Sequence, residues 1–351
     1  MMKDIYLKIS SLTFMLFISL VCIGNLYQIP KQPIQGNILN GERTRAIEAL
    51  YDDNSILSEW SKNLWAMLDY VLLDEGMTGV VIGTDGWLFS QEEYELPVES
   101  RLAGNIVFIE DTAKTLQRLN IALKIMLIPE KAEIYSHLSP KQQLRGEQLR
   151  LRVTRSLDAI QVKYLDLFSV FSSHSDNSEL YLKTDTHWSP VGAKVAATTL
   201  ANQLLSKGDT PYLSQLTETQ EFRGDLLNFI PVYPYFKSLG PSPDSLPIYR
   251  TAPEANNEDA LFGDQPLPEL VLVGTSYSAN PNWNFPGFLR EAASQDLIDM
   301  SVAGEGPFKP MLHVLNDTSL LEGGVKTIIW EIPIRYFESQ QFYMSMQGDH
   351  S

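Results

Sequence analysis

Three side chains in the sequence could together carry out nucleophilic acyl transfer: Asp185, His187 and Ser276. Asp185 and His187 belong to the segment Asp-Thr-His-Trp-Ser-Pro, and in an extended chain side chains two positions apart point to the same side. The carboxylate can therefore fix one imidazole nitrogen and leave the other free as a base. Taken alone, the pair could equally cap or pack at a helix start, or ligate a metal.

Ser276 follows Gly274 and the apolar run Leu270–Val273. A serine there would stand at the carboxyl edge of a parallel sheet, where α/β proteins bind ligands, and turn N–H groups could face a developing oxyanion. The alternative is an ordinary strand-end turn whose serines satisfy loop amides. Combined with the D-x-H pair, Ser276 completes a set typical of acyl transfer through a covalent intermediate. The pair of elements therefore favours catalysis.

Alternating strands and helices must position these residues. Apolar runs predict strands at Ile121–Ile128, Val162–Leu167, Leu270–Val273, Leu297–Val302 and Thr327–Ile332. Helices are predicted over Leu102–Leu116, from Pro190 to about Leu205, over Phe285–Ala293 and around Met311–Leu315. A β-hairpin is predicted from Val80 to Phe89, and a long irregular insertion over 207–265. The pattern predicts an α/β fold with a central, mainly parallel sheet between helices.

Residues 1–30 predict a signal-anchor. The stretch Ile5–Ile29 is uncharged apart from Lys8 and is long enough to span a bilayer. Lys3 and Lys8 favour a cytoplasmic amino terminus. A cleaved signal peptide is the alternative, although no convincing cleavage site follows. The predicted organisation is a signal-anchor (transmembrane segment) at 1–30, a linker and amino-terminal helical region at 31–75, and a catalytic domain at 76–351.

Composition excludes several classes of function. The 351 residues carry 27 basic and 43 acidic side chains, a formal net charge of −16, which argues against a nucleic-acid partner because phosphate binding needs a basic field. The single cysteine excludes an internal disulfide, a cysteine-based zinc site and an iron–sulfur cluster. The acyl-transfer chemistry calls for neither a metal nor a cofactor.

Five segments spread over most of the chain carry a resemblance to a known family. They are Asn40–Glu48, Val80–Phe89, Asp185–Pro190, Gly274–Ser278 and Ile329–Arg335. On these segments the sequence resembles the alginate O-acetyltransferase family, the AlgJ/AlgX-like branch of the SGNH hydrolase superfamily. The resemblance implies an SGNH hydrolase-like three-layer fold with a permuted order of catalytic motifs, since the histidine motif precedes the serine motif.

The resemblance also implies roles for particular residues. Asp185, His187 and Ser276 would form the catalytic triad, with His187 as the base and an acetyl group carried on Ser276. Backbone N–H groups near Ser276 and the side chain of Asn280 would stabilise the oxyanion. Two residues, Tyr277 and Arg335, could contact the carboxylate of a uronate; packing and a surface ion pair are their respective alternatives.

The implied setting is the bacterial inner membrane, with the catalytic body in the periplasm. A membrane-embedded acyltransferase would supply acetyl groups, and other polymer export and modification proteins would act beside it. The acceptor would be mannuronate in exported alginate. Open alternatives are an acetyl esterase, a non-catalytic assembly subunit, and acetylation of another polymer such as cellulose.

The acidity bears on such an acceptor. Lys3, Lys8 and Asp4 lie within residues 1–30, so the rest of the chain carries −17. Long-range repulsion of a polyanion follows, damped beyond about 10 Å at 0.1 M salt. We therefore expect weak affinity for free oligomers, with tethering beside the export machinery supplying the encounter.

Overall fold

The computed structural model describes residues 2–28, 37–38, 40–53, 56–95, 99–140, 145–174, 179–254 and 267–338. The chain divides into two compact units, one of Met1–Gly76 with Ile230–Gly240 and the other of Met77–Phe229 with Pro241–Ser351. Ile230–Gly240, which the sequence places in the 76–351 domain, thus groups with the amino-terminal residues. Residues 31–36 of the predicted linker, and those after 338, lie outside the described residues.

The first unit is helical. It contains α1 (Met2–Gln28), α2 (Glu42–Asp53) and α3 (Ile56–Leu68). The last of these continues as a π-helical stretch, Asp69–Leu73, and ends at Asp74, which adopts the left-handed conformation. Within the described part of the chain, none of the helices combines the length and the hydrophobicity that a bilayer span requires.

A five-stranded parallel sheet forms the centre of the second unit. Among the described residues of this unit, the strands are β1 (Val80–Ile82), β2 (Leu88–Ser90), β3 (Ala122–Ile128), β4 (Lys163–Asp166), β5 (Tyr212–Phe222), β6 (Asp244–Pro253), β7 (Leu270–Val273), β8 (Ile298–Asp299) and β9 (Thr327–Pro333). Five of them pair in the order β4-β3-β9-β7-β8, every neighbour parallel. Continuous apolar runs suit such strands because both faces are covered. The predicted parallel sheet is therefore confirmed.

The strand order explains why the catalytic motifs appear permuted. If β7, β8, β9, β3 and β4 are numbered 1 to 5 in that sequence, the order across the sheet is 2-1-3-4-5. This is a doubly wound arrangement. In such sheets ligands bind at the carboxyl ends of the strands, where the order reverses. Here the reversal lies between β7 and β9, so the residues that follow β7 stand at this position.

Helices cover both faces of the sheet. They are α4 (Glu99–Arg118), α5 (Lys131–Ile134), α6 (Arg145–Ala159), α7 (Phe168–His174), α8 (Pro190–Leu204), α9 (Ser276–Ala279), α10 (Phe285–Ala293), α11 (Phe308–Asn316) and α12 (Thr318–Glu322). Alternate strand residues enter two apolar clusters: Leu272 and Ile329 pack with α8 and α10 on one face, and Val271 and Trp330 pack with α4, α6 and α11 on the other. The result is the predicted layering of helices, sheet and helices.

Two further pairs of strands lie outside this sheet. The predicted hairpin is confirmed: β1 and β2 pair antiparallel, with Val81 opposite Phe89. The irregular insertion predicted over 207–265 is wrong for much of its length, because β5 and β6 pair antiparallel from Tyr212–Pro253 to Phe222–Asp244. Most β5 side chains are exposed, so the strand lacks the apolar pattern on which a sequence-based prediction relies. Residues 255–265 lie outside the described residues.

Candidate active site

Helix α8 fixes the end of the D-x-H segment. Ser189 caps this helix, since its Oγ accepts a hydrogen bond from Gly192 N at 3.2 Å, and Pro190 occupies the first turn. The start at Pro190 agrees with the sequence-based prediction, and serine at the cap and proline in the first turn are both favoured there. Gly192 is needed because a Cβ at that position would lie 2.1 Å from the carbonyl oxygen of Leu180. The D-x-H segment is thereby held tightly at its carboxyl end.

Asp244, the first residue of β6, holds the other end of this segment. Its carboxylate accepts hydrogen bonds from Lys183 N at 2.8 Å, Thr184 N at 2.9 Å and Thr184 Oγ1 at 2.5 Å. Three charge-assisted bonds to one loop fix its path. The β5–β6 ribbon therefore takes part in positioning the site, a role that the sequence did not reveal.

The three predicted catalytic side chains lie in one hydrogen-bonded row. His187 Nε2 lies 2.7 Å from Ser276 Oγ, and His187 Nδ1 lies 2.6 Å from Asp185 Oδ1. Asp185 Oδ1 also accepts from His187 N at 2.9 Å, so the imidazole and its own backbone share one carboxylate oxygen. This is the nucleophile–base–carboxylate arrangement of acyl-transfer enzymes.

The electrostatics of the row favour an ionised Asp185. Burial raises the pKa of this carboxyl, but the hydrogen bond and charge of His187 and the bonds from backbone amides outweigh that and hold the pKa below its usual value. The second oxygen, Oδ2, accepts from Asp225 N at 2.9 Å. A carboxylate in this state can orient the imidazole and stabilise its protonated form.

Asp225 forms a second layer behind the triad. Its carboxylate accepts from Thr186 N at 2.9 Å and Thr186 Oγ1 at 2.6 Å. Burial, followed by the charge of Asp185, raises the pKa of Asp225. Ligand atoms of Asp185, His187 and Asp225 lie within 4.8 Å of one another, a spacing compatible with a metal. All four carboxylate oxygens, however, already accept hydrogen bonds, so this cluster is explained by its internal bonding.

The serine turn follows β7 directly. Thr275 caps the short helix α9, with its Oγ1 accepting from Tyr277 N at 3.3 Å. The fully buried carboxylate of Glu331, on β9, accepts from Thr275 N at 2.7 Å and from Ser278 Oγ at 3.0 Å. Ser276 therefore lies between two residues held by one carboxylate. A single acidic residue inside an otherwise apolar strand was the available signal for Glu331, since such a group is costly to bury.

Lys131 connects the β1–β2 hairpin to the D-x-H segment. Its ammonium group, on a side chain buried among apolar groups, donates to the carbonyl oxygens of Leu88 at 2.5 Å, Lys183 at 2.9 Å and Asp185 at 3.0 Å. Burial lowers the pKa of Lys131 to about 8, although nearby carboxylates, Glu93 first among them, raise it. The hairpin motif thus supports the loop that bears the triad carboxylate.

Aromatic rings enclose the imidazole of His187. The ring of Tyr277 lies 4.7 Å from it, and the indole of Trp283 stacks on it at 5.5 Å with an interplanar angle of 24°. Trp283 Nε1 donates to Ser276 O at 3.2 Å, so the indole contacts both His187 and Ser276. These rings limit the orientations open to the imidazole.

The residues predicted to contact substrate occupy different environments. Tyr277 is 2% exposed and its hydroxyl donates to Thr186 O at 2.7 Å, which agrees with the packing alternative. Arg335 is 12% exposed and lies 3.7 Å from the buried Glu130 carboxylate, so its ion pair is internal and not on the surface. Asn280 Oδ1 accepts from a backbone amide two residues on, and Asn280 itself is partly exposed beside the serine turn.

The comparisons with known proteins agree with this geometry. Residues 80–334 match the family model described as the SGNH hydrolase-like domain of the acetyltransferase AlgX. The chain belongs to this family. The AlgX-type domain thus spans the hairpin, the D-x-H segment, the serine turn and β9, and the resemblance stated from the motifs is confirmed.

Individual relatives and solved structures extend the match. The chain is 37% identical over 315 residues to the "probable alginate O-acetylase AlgJ" of Pseudomonas aeruginosa, covering 85% of this chain and 81% of that protein. It matches the solved O-acetyltransferase domain of Pseudomonas putida AlgJ with a TM-score of 0.67 and 32% identity, over 75% of this chain and 94% of that one. The structure of Pseudomonas aeruginosa AlgX matches with a TM-score of 0.58 at 21% identity, over 74% of this chain and 63% of that one, a likeness of fold alone.

Proposed function

We propose that the protein is an O-acetyltransferase that acetylates mannuronate residues of exported alginate through an acetyl group carried on Ser276. The observation that carries the proposal is the continuous hydrogen-bonded row from Asp185 through His187 to Ser276. It occurs in a chain that matches proteins named as alginate O-acetylases over most of its length. The family match supports the choice of substrate, and the geometry supports the choice of residues.

In the first half-reaction, Ser276 Oγ attacks the carbonyl carbon of an acetyl donor while its proton passes to His187 Nε2. The tetrahedral intermediate collapses as the donor's leaving group departs with that proton. Asp185 stabilises the imidazolium formed between these events. The product is acetyl-Ser276, and the imidazole is again neutral.

In the second half-reaction, a mannuronate hydroxyl attacks the acetyl carbonyl and gives its proton to His187 Nε2. Collapse of this intermediate forms the sugar ester and returns the proton to Ser276 Oγ. The developing oxyanion needs preorganised donors. Ser276 N–H, which makes no hydrogen bond within the described residues, is one candidate donor, and the amide of Asn280 is another.

The proposal includes membrane attachment through α1 and delivery of acetyl groups by a membrane-embedded acyltransferase, beside other proteins of polymer export. The described part of α1 exposes large apolar side chains, among them Leu12, Phe14, Leu16 and Leu20. Apolar surface of this kind is unfavourable in water, which supports burial of the helix in the inner membrane. The catalytic body would then face the periplasm.

The test uses the purified chain with an activated acetyl ester and oligomannuronate. Mass spectrometry would measure acetylated sugar, and a coupled assay would measure free acetate. Ser276→Ala should abolish both products, whereas Ser173→Ala, an exposed serine on α7, should leave them unchanged. Normal sugar acetylation by Ser276→Ala would rule out the proposed nucleophile, and acetate without acetylated sugar would identify an esterase instead.

A further inference from the structure

One buried carboxylate near the triad has no part in the proton transfers. Glu331 is fully buried in the middle of β9, between Trp330 and Ile332, whose side chains enter the apolar cluster on the opposite face of the sheet. Burying an ionisable group in this setting is costly unless its bonds are satisfied. The location calls for an explanation beyond packing, because burial of an apolar residue there would cost less free energy.

The bonds of Glu331 all go to the serine turn. Oε2 accepts from Thr275 N at 2.7 Å and from Ser278 Oγ at 3.0 Å, while Thr275 Oγ1 donates to Oε1 at 3.1 Å. A Cβ at Gly274 would lie only 2.4 Å from Oε2. The turn is therefore built closely around this carboxylate, with a contact on each side of Ser276.

These bonds decide which amide of the turn remains available. Thr275 N is taken by Glu331, Tyr277 N by Thr275 Oγ1, and Ser278 N by Thr275 O. In the described chain, Ser276 N–H makes no hydrogen bond. A turn that lost the carboxylate would be free to reorient Thr275 N–H and to move Ser276 Oγ away from the imidazole.

We propose that Glu331 is a positioning residue for acetyl transfer: it holds the turn so that Ser276 Oγ meets His187 Nε2 and Ser276 N–H remains free for the oxyanion. This inference rests on the proposed role of Ser276 as nucleophile. Glu331 acts as a hydrogen-bond acceptor and touches neither the donor nor the sugar. Because a misplacement of about 1 Å can cost about 100-fold in rate, the effect of its loss falls on kcat.

The test compares Glu331→Met, which removes the acceptors, with Glu331→Gln, which keeps one. The glutamine oxygen can accept from Thr275 N and Ser278 Oγ, and its NH2 can donate to Thr275 Oγ1. We expect Glu331→Met to lower kcat for acetyl transfer about 10- to 100-fold with little change in KM. Glu331→Gln should restore kcat to within about threefold of wild type, because the geometry depends on the acceptor.

A second readout follows the serine itself. A fluorophosphonate reacts with an activated serine by forming a P–O bond to Oγ and releasing fluoride, and the serine proton passes to the base. Its rate of reaction with Ser276, measured by peptide mass spectrometry, should fall in Glu331→Met in proportion to kcat.

Glu133→Met is the matched control. The side chain of Glu133 is only 5% exposed and its pKa is raised to about 7 by burial, but it bonds to Arg150 at 2.8 Å and not to the turn. The Glu133→Met variant should have a kcat and a labelling rate within about twofold of those of the wild type. Wild-type kcat and labelling in folded Glu331→Met would overturn the inference while leaving the proposed nucleophile intact. Retained acetyl transfer in Ser276→Ala would overturn both.

Discussion

The buried Glu331 carboxyl makes a pH-dependent contribution to stability that can be isolated. Burial, only partly opposed by the hydrogen bonds from the serine turn, raises the pKa of Glu331 from 4.5 to about 7. The folded protein therefore holds a proton on this group that the unfolded chain has lost between these two pH values. The associated stability is present below pH 4.5 and is lost as the pH rises through about 7.

The size of this loss follows from proton linkage. A pKa of about 7 in the folded state against 4.5 in the unfolded state corresponds to about 3 kcal/mol in all, and to about 2.5 kcal/mol between pH 5 and pH 8. Glutamine does not titrate. The free energy of unfolding of the wild type, minus that of Glu331→Gln, should therefore fall by about 2.5 kcal/mol between pH 5 and pH 8.

The assay is urea unfolding of both proteins at several pH values, followed by tryptophan fluorescence. Trp188, Trp283 and Trp330 are buried in the same compact unit as Glu331 and report its unfolding. Taking the difference cancels the titration of every other acidic group. Parallel pH profiles for the two proteins would refute the reasoning, as would a difference that grew with pH.

Three other outcomes are expected. Asp185→Asn should lower kcat by about 1,000-fold or more, because an amide cannot stabilise the imidazolium and can favour the wrong tautomer. Single-turnover kinetics would measure this loss, and a loss under tenfold would argue against the triad. Oligomannuronate should bind the catalytic body weakly at low salt, because both molecules are negatively charged, and its affinity should not fall as added salt screens the repulsion. Tight binding measured by calorimetry at low salt would contradict this. Removal of residues 1–30 should release the protein from the membrane fraction, and persistent membrane association after an alkaline wash would contradict the proposed anchor.

The sequence predicts the elements whose signals are local. Continuous apolar runs identified the sheet strands because both faces of a parallel sheet are covered. The hairpin followed from Gly-Thr-Asp-Gly, in which Asp85 and Gly86 both adopt positive φ. The cap at Ser189 followed from its place before Pro190. Asp185 and His187 are likewise neighbours, so their contact could be inferred from spacing alone.

The groups that hold the site in place act over long distances in the chain, so no local signal identifies the residues that they bind. Glu331 binds Thr275 across 56 positions, and Asp244 binds Lys183 across 61. Strand β5 is mostly polar and exposed, so its backbone pairing with β6 is not encoded in an apolar pattern. From the sequence alone, Lys131 would be assigned to the surface, because the three carbonyl oxygens that accept its hydrogen bonds come from distant segments.

The order of strands in the sheet also bears on how the protein is made. Of the described strands, β9 comes last along the chain, yet it lies in the middle of the sheet and pairs with both β3 and β7. Until residues 327–333 emerge, β3 and β7 each present an open edge, which is a template for aggregation. Because β9 also carries Glu331, the strand that closes these edges completes the support of the nucleophile. We therefore expect a chain interrupted before β9 to be both prone to aggregation and deficient in acetyl transfer.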